Sequence, residues 1–385
     1  MIKKILLLIL IIFAVTGCYN YQELSDLAIV SGVSIALSNH QYEVSVQVIN
    51  PRSQQDASGS EEPDFIIYKK KDSSIQEAIR KIAIECPKKL YLSHMNILII
   101  DESISNGHLK YVLDFFIRHP DIRDEFYVLI GRNSDILSIT TPLENISSES
   151  ILNSLKNNAK ELGYTDIITF QELVAMYLNP YQELAISSAY VYGNQLQGNT
   201  IDNIKNTDRN ASVIVSGIAI FKDNSLVGYL EENDALTYHI LRNDYNHFLI
   251  KTSYSNFSFF VSEILQEVTK IDVDLSHSSV TISINGNAMI TENNTSYHLE
   301  DNKTILRLQK DINDTLSNMI EKSISNVFSK YHTDIFGFCN LFYHKNPNFI
   351  EKHWNDNSLG QLKISVKTNI KLVEKGNLNG GLIHE

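Results

Sequence analysis

Three cysteines, one tryptophan and seven prolines in 385 residues withhold the raw material of several protein classes. So few cysteines exclude a disulfide-stapled scaffold, and neither a CxxC pair nor a tight Cys/His quartet is present for structural zinc. Basic residues are in deficit, 33 Lys and Arg against 45 Asp and Glu, which argues against nucleic acid and against adsorption to anionic lipid through the body of the protein. HExxH, GxSxG, GxGxxG and GxxxxGK[ST] are all missing, so the sequence offers no zincin helix, nucleophile elbow or phosphate-cradling loop. His332, His344 and His353 cluster in sequence without the i, i+4 spacing of metal-ligating helices and read as ordinary surface or half-buried histidines. No cofactor, metal or catalytic residue is expected.

What is present begins at the N-terminus. Lys3 and Lys4 precede an apolar run from 5 to 15, and Val15-Thr16-Gly17-Cys18 follows. That run is shorter than the roughly 20 residues of a membrane span, and a charged start with small residues at its end makes a secretory signal. Cysteine directly after the small pair turns the cleavage point into a lipobox. Cys18 is therefore the expected lipidation site and the new N-terminus, with residues 1–17 removed as signal peptide. The alternative is an uncleaved N-terminal membrane helix; both tether the body to a membrane. Removing Lys3 and Lys4 makes the mature chain still more acidic.

Residues 29–37 and 42–49 are apolar and β-branched and read as a hairpin turning at 38–41. The polar, aperiodic stretch 51–63 reads as a surface loop. Ser73 opens a helix with Ile75, Ile79, Ile82 and Cys86 on one face, ended by Pro87, and an apolar strand follows at 95–100. Leu109, Val112, Leu113, Phe116 and Ile117 make a second helical stripe before Pro120, and 126–130 another buried strand. Helices at 148–162 and 170–178, the latter capped by Thr169, precede a strand at 185–192. A second hairpin, 213–221 with 226–230, turns at 222–225, and a short helix at 233–241 follows. The pattern from 257 to 271 is ambiguous; 280–284 and 288–290 are strand-like around Asn285-Gly286-Asn287. Nine apolar residues from Ile305 to Phe328 then recur at helical spacing over about seven turns, and a strand at 362–373 closes the pattern.

These elements place the chain in the α+β class: a mature lipoprotein of two to three mixed α/β domains, with mostly antiparallel or mixed sheets and packed helices, one of them long. The expected division is an N-terminal α/β domain at 18–198, a linker at 199–210, a small β-rich middle domain at 211–256 and a C-terminal α/β domain at 257–385 carrying the long helix at 300–331. Cys86 and Cys339 each lie in an apolar stretch and read as buried free thiols.

Several short motifs occur in a definite order: Tyr21-x-Glu23-Leu24 after the lipobox, Leu27-Ala28-x-Val30-x-Gly32, Pro87-x-Lys89-Leu90-Tyr91-x-x-His94, and Asp114-Phe115-Phe116-x-Arg118-x-Pro120-x-Ile122-Arg123. The second half adds Gly217-x-Ala219-x-Phe221-Lys222, Leu226-Val227-Gly228-x-Leu230, and the long helix leading to Gly337-Phe338. Along its whole length the chain resembles the Ger(x)C family of spore germination lipoproteins. Tyr19 stands where that family usually has tryptophan. The resemblance implies the C subunit of a nutrient germinant receptor, non-catalytic and built of three mixed α/β domains. It would be lipid-anchored on the outer face of the spore inner membrane or the cell membrane, beside two integral-membrane subunits, an A-type and a permease-like B-type.

By residue chemistry alone, Arg118 and His119 complement a helix C-terminus that Pro120 stops, and Arg123 has Asp114 or Asp121 as possible partners. The competing functional class is a solute-binding lipoprotein handing a nutrient to a transporter, which requires a cleft with aromatic and charged groups between two lobes; the one tryptophan is Trp354, and nothing in the sequence marks such a cleft. A cell-wall hydrolase would need paired carboxylates that the sequence does not single out.

Overall fold

The computed structural model describes residues 23–51, 63–105, 107–132, 135–205, 207–243, 247–297, 299, 301–354 and 358–374. Cys18, residues 1–17 expected as signal peptide, and most of the 51–63 stretch lie outside the described residues.

The first half holds β1 (Leu27–Ser38), β2 (Gln41–Ile49), β3 (Phe65–Asp72), α1 (Ile75–Ile82), β4 (Lys89–Tyr91), β5 (Ile97–Asp101), α2 (Leu109–Arg118), β6 (Tyr127–Gly131), α3 (Ser147–Glu161), α4 (Phe170–Leu178) and β7 (Ala185–Gly193). Then come α5 (Gln195–Gly198), α6 (Asp202–Lys205), β8 (Ala211–Lys222), β9 (Ser225–Leu230), α7 (Glu232–Arg242), β10 (His247–Ser253), β11 (Phe259–Asp274), β12 (Ser279–Asn293), α8 (Asn302–Tyr331), α9 (Phe338–Lys345), α10 (Pro347–His353), α11 (Ser358–Gln361) and β13 (Lys363–Glu374). The fold is mixed α/β, with one long helix in the second half.

A mixed sheet of order β3-β2-β1-β5-β6-β7-β8-β9, with β4 paired to the start of β1, forms the larger layer. Its central strand β5 explains its own apolar run, because both faces are covered. Leu98 and Ile100 pack with apolar residues of α1, α2 and α4, while Ile97 and Ile99 pack with Ile151, Leu152 and Leu155 of α3. Local signals work as their chemistry dictates. The β1–β2 turn runs through Asn39 and His40, both at positive φ. Thr169 caps α4 in a reciprocal box, its Oγ1 accepting from the Glu172 backbone N–H at 3.3 Å while the Glu172 carboxylate accepts from the Thr169 N–H at 2.8 Å.

The division of the second half differs from the sequence expectation. Residues 211–256 share no sheet of their own: β8 and β9 complete the large sheet, and β10 opens a four-stranded sheet of order β10-β11-β12-β13. Hydrophobic alternation identifies a strand but not the strand it will pair with. The 199–210 stretch is largely exposed at its described residues but is tied down at Asn203, which is fully buried, donates to the carbonyls of Thr140 and Ala211 and accepts from the Ala211 N–H at 3.0 Å. Its polar composition supplies hydrogen bonds to neighbouring backbone.

The ambiguity at 257–271 also has a physical cause. A bulge at Leu265/Val268 switches the buried face of β11 from Phe260, Ser262 and Ile264 to Glu267, Thr269 and Val273, and this destroys the period of two. Opposite it, β12 runs unbroken through Asn285-Gly286-Asn287.

Glu267 at this bulge is buried; Thr269 donates to one carboxylate oxygen, and the other has no partner among the described residues. Burial pushes its pKa up to about 7, from 4.5. Because the folded state holds the proton more tightly than the unfolded chain, stability falls as pH rises from about 4.5 to about 7 and is level above that. Glu267→Gln should therefore add about 2 kcal/mol at pH 8 and little at pH 4. Urea unfolding at both pH values checks this; an equal effect at the two would contradict it.

Helix α8 buries Leu308, Ile312, Leu316, Ile320, Ile324 and Val327 against the second sheet. A separate polar row on the same helix seals the edge strand β13. Gln309 accepts from the Leu372 N–H at 3.1 Å, and Asn313 accepts from the Ile370 N–H at 2.8 Å and donates to its carbonyl at 3.0 Å. Ser317 meets Thr368 at 3.1 Å, and Glu321 accepts from the Val366 N–H at 3.3 Å. Four helical residues rise about 6 Å and two strand residues about 6.6 Å, so the two repeats stay in step.

Candidate functional site

Connectivity brings the first-half motifs to one end of the large sheet. Strands β1, β5, β6 and β7 are parallel, and β4 pairs in parallel with Leu27, Ala28 and Ile29 at the beginning of β1. Helices α1 and α2 both run back towards that end, so Pro87 to His94 and Arg118 to Arg123 meet where the chain enters the sheet. Ser93 Oγ donates to the Asp121 carbonyl at 2.5 Å, tying the two segments, and the Cys86 thiol donates to the Lys88 carbonyl at 3.2 Å.

Between α1 and α2 lies a cleft of about 790 Å³, with Tyr42, Ile75, Tyr111 and Phe115 as its apolar walls and Arg80, Asp114, Arg118 and Asp121 as its charged groups. Arg118 Nε donates to Asp114 Oδ1 at 2.8 Å, so the helix-end arginine takes the aspartate one turn back. Arg123 makes no ion pair with a described residue. Burial lowers the pKa of His119, opposed by Asp121, and the Asp121 N–H donates to His119 Nδ1 at 3.3 Å. This cleft has the aromatic and charged groups of a solute-binding site but lies on one face of one sheet and not between two lobes, and the sequence did not reveal it, because its two walls belong to separate amphipathic helices. Strands β1, β5, β6 and β7 follow one another in sequence order, so the crevice opened by a reversal of strand order in doubly wound folds is not formed among them. Among the described residues no three His, Cys, Asp or Glu side chains gather to hold a metal.

A second constellation was invisible in sequence. Arg132, just past β6, donates from Nε and Nη2 to Ser188 Oγ at 2.9 and 2.6 Å, from Nη2 to the Ser216 carbonyl at 2.9 Å and from Nη1 to Glu231 at 2.6 Å. Its guanidinium stacks 4.0 Å from the Tyr229 ring. The Tyr229 hydroxyl donates to Glu102 at 2.5 Å, and burial followed by that carboxylate raises its pKa. Arg132 thus joins β6, β7, β8, β9 and the residue preceding α7. Gly217 lies against it at φ +79°, and a Cβ there would collide with Arg132 Nη2 and stand 2.7 Å from Glu231 Oε2. The glycine of the Gly217-x-Ala219 motif is explained by this close approach.

The Gly337-Phe338 motif forms the third. Buried Asp334 accepts from the N–H groups of Phe338 at 3.1 Å and Cys339 at 2.6 Å, capping α9 after the positive-φ Gly337. Burial pushes the Asp334 carboxyl up to about 6 and the Cys339 thiol up to about 12. Thr333 donates to the Phe221 carbonyl at 2.7 Å and the Glu183 N–H to the Asp334 carbonyl at 3.2 Å, so this junction fastens the second half to the large sheet. Cys86 and Cys339 are free and buried, as their apolar settings imply. The protonated, buried Cys339 thiol is a packing group rather than a nucleophile.

Comparison with known proteins covers both halves. The profile of the spore germination protein N-terminal domain matches residues 20–188, and that of the spore germination B3/GerAC-like C-terminal domain matches 216–376. Spore germination protein KC of Bacillus subtilis (strain 168) is 25% identical over 406 residues, spanning 100% of this chain and 99% of its own. Spore germination protein B3 of the same organism is 22% identical, spanning 92% and 93%. The crystal structure of the GerBC protein superimposes with a TM-score of 0.51 at 16% identity, covering 89% of this chain and 97% of that one.

Proposed function

Since the chain belongs to the Ger(x)C family of spore germination proteins, we propose that it is the lipid-anchored, non-catalytic subunit of a nutrient germinant receptor. The observation that carries this reading is collinear similarity over the whole chain, both family domains in order and KC spanned nearly end to end. The chemistry agrees. The motifs sort into helix ends, a glycine that admits the Arg132 side chain and a helix cap, so they build surfaces and joints rather than a reaction centre. Among the described residues no helix is long and apolar enough to cross a membrane, and Cys18 supplies attachment as a diacylglyceryl-bearing N-terminus. From there the body presents its faces to the A-type and permease-like B-type subunits at the spore inner membrane or cell membrane.

Expected results follow for the anchor. Wild-type protein should partition into the detergent phase and carry the mass of a diacylglyceryl group on Cys18, and Cys18→Ala should move it into the aqueous phase. Aqueous partition of both would contradict the anchor.

The α1–α2 cleft favours a second reading, a solute-binding lipoprotein. A melting-temperature rise with one member of a panel of amino acids and sugars, abolished by Arg80→Ala, would support it; an unshifted temperature across the panel would remove it.

A further inference from the structure

We propose that the free edge of the large sheet, strand β3, is the surface on which a second copy of this chain docks, β3 pairing antiparallel with its own counterpart about a two-fold axis at Ile67.

The edge is open, and its backbone groups are set for such a partner. Strand β3 pairs with β2 alone and ends the large sheet. The Asn50 N–H donates to the Asp64 carbonyl at 2.8 Å, so the even-numbered residues turn their backbone groups towards β2, and Phe65, Ile67, Lys69 and Lys71 turn theirs outward. Among the described residues nothing bonds to those outward groups, whereas α8 covers the edge of β13. An uncovered edge is a template for another strand. Antiparallel pairing sets outward-turned residues opposite one another, and the axis at Ile67 obeys that rule. Ile67 then faces its own copy, Phe65 faces Lys69 of the second copy, and Asp64 faces its Lys70.

The order of charges selects a second copy over the strand of another protein. In sequence, Glu61, Glu62 and Asp64 precede the apolar Phe65-Ile66-Ile67-Tyr68, and Lys69, Lys70 and Lys71 follow it. A segment that runs from acidic through apolar to basic is complementary to itself when reversed, and the two-fold axis reverses it. The lysines do not act here as the repulsive charges that commonly guard an edge, because within their own chain they pair with Glu43, Asp135 and Glu85. The Asp64 carboxylate has no partner among the described residues. An ammonium has three donors, so Lys70 is able to hold Glu85 of its own chain and Asp64 of the other together.

The side chains beside the edge fit the same partner. Ile66 is 41% exposed on one face of the sheet and meets Tyr68 of the second copy there. On the other face a groove of about 660 Å³ lies between Phe65 and Ile67 on one side and Ile201 and Ile204 on the other, and it receives the aliphatic stem of the incoming Lys69.

The test uses full-length protein in the membranes of an expressing strain, with differently tagged copies carrying Asp64→Cys and Lys70→Cys produced together; the native Cys86 and Cys339 are buried. The two positions form a non-hydrogen-bonded cross-strand pair with Cα atoms about 4.5 Å apart, a separation that a disulfide spans. Mild oxidation should join the two tags, well above the dimer formed by either variant alone. In sedimentation of the purified full-length protein in detergent, Asp64→Lys and Lys70→Asp should each weaken dimerisation about tenfold, since the contact occurs twice across the axis, and the doubly exchanged chain should regain most of the loss. Trapping that is absent or as strong in the single variants, a monomer at every concentration, or a dimer indifferent to both charge changes overturns the pairing.

Discussion

Gly217→Ala is expected to destabilise the protein by about 3 kcal/mol or more, a large fraction of the stability of an ordinary domain. Two costs combine. A non-glycine residue at φ +79° carries backbone strain of about 1–2 kcal/mol. The added methyl also meets Arg132 Nη2 and Glu231 Oε2, which cannot retreat without breaking hydrogen bonds of the Arg132 hub, and the Leu230 carbonyl, which belongs to the backbone of β9. Urea unfolding followed through Trp354 fluorescence measures the loss. Gly217→Ala combined with Arg132→Ala should cost less than the two single changes added together, because the second change removes the colliding group. Additive costs, or an alanine tolerated at full stability, would contradict this account of the hub.

Asn313→Ala should cost about 3 kcal/mol and promote self-association. Its side chain satisfies both the N–H and the carbonyl of Ile370 on the edge strand β13, and an unmet buried backbone group costs roughly 1–3 kcal/mol. An uncovered edge is also a template for another chain. Unfolding midpoints and light scattering report the two effects separately. Gln309→Ala and Glu321→Ala, which each remove one acceptor, should show smaller losses in the same direction. Unaltered stability in Asn313→Ala would mean that α8 holds β13 through its apolar face alone.

Helix α8 carries features at opposite extremes of legibility. The apolar stripe of α8 was plain in the sequence because helical burial repeats every three to four residues, whatever lies opposite. Its polar row, Gln309, Asn313, Ser317 and Glu321, was not, because polar residues on a helix signify only solvent until the edge strand they face is known. Both hairpins and the Thr169 cap were legible for a similar reason, since turns and caps are decided within four residues. The strand at 257–271 was obscured by a bulge that inverts its period, and the 211–256 stretch by pairing with two different sheets.

The candidate site divides in the same way. Arg118, His119 and Pro120 were read as a helix end and form one, but the cleft they border needs α1 as its other wall. Arg132 had no sequence signal, since Ser188 lies 56 positions away and Glu231 lies 99. Gly217 was visible as part of a motif, while its reason became clear only with the arginine beside it. The proposed lipidation of Cys18 rests on the sequence alone, because a lipobox would be read by peptidases as linear sequence.

The most direct measurement compares spores carrying wild-type protein, no protein or Cys18→Ala in a strain without redundant receptors, scoring dipicolinate release with a nutrient panel and with a receptor-independent trigger. The account predicts that loss of the protein or of its anchor abolishes or sharply reduces the nutrient response while the receptor-independent response is intact. A nutrient response unchanged in the strain lacking the protein would contradict it.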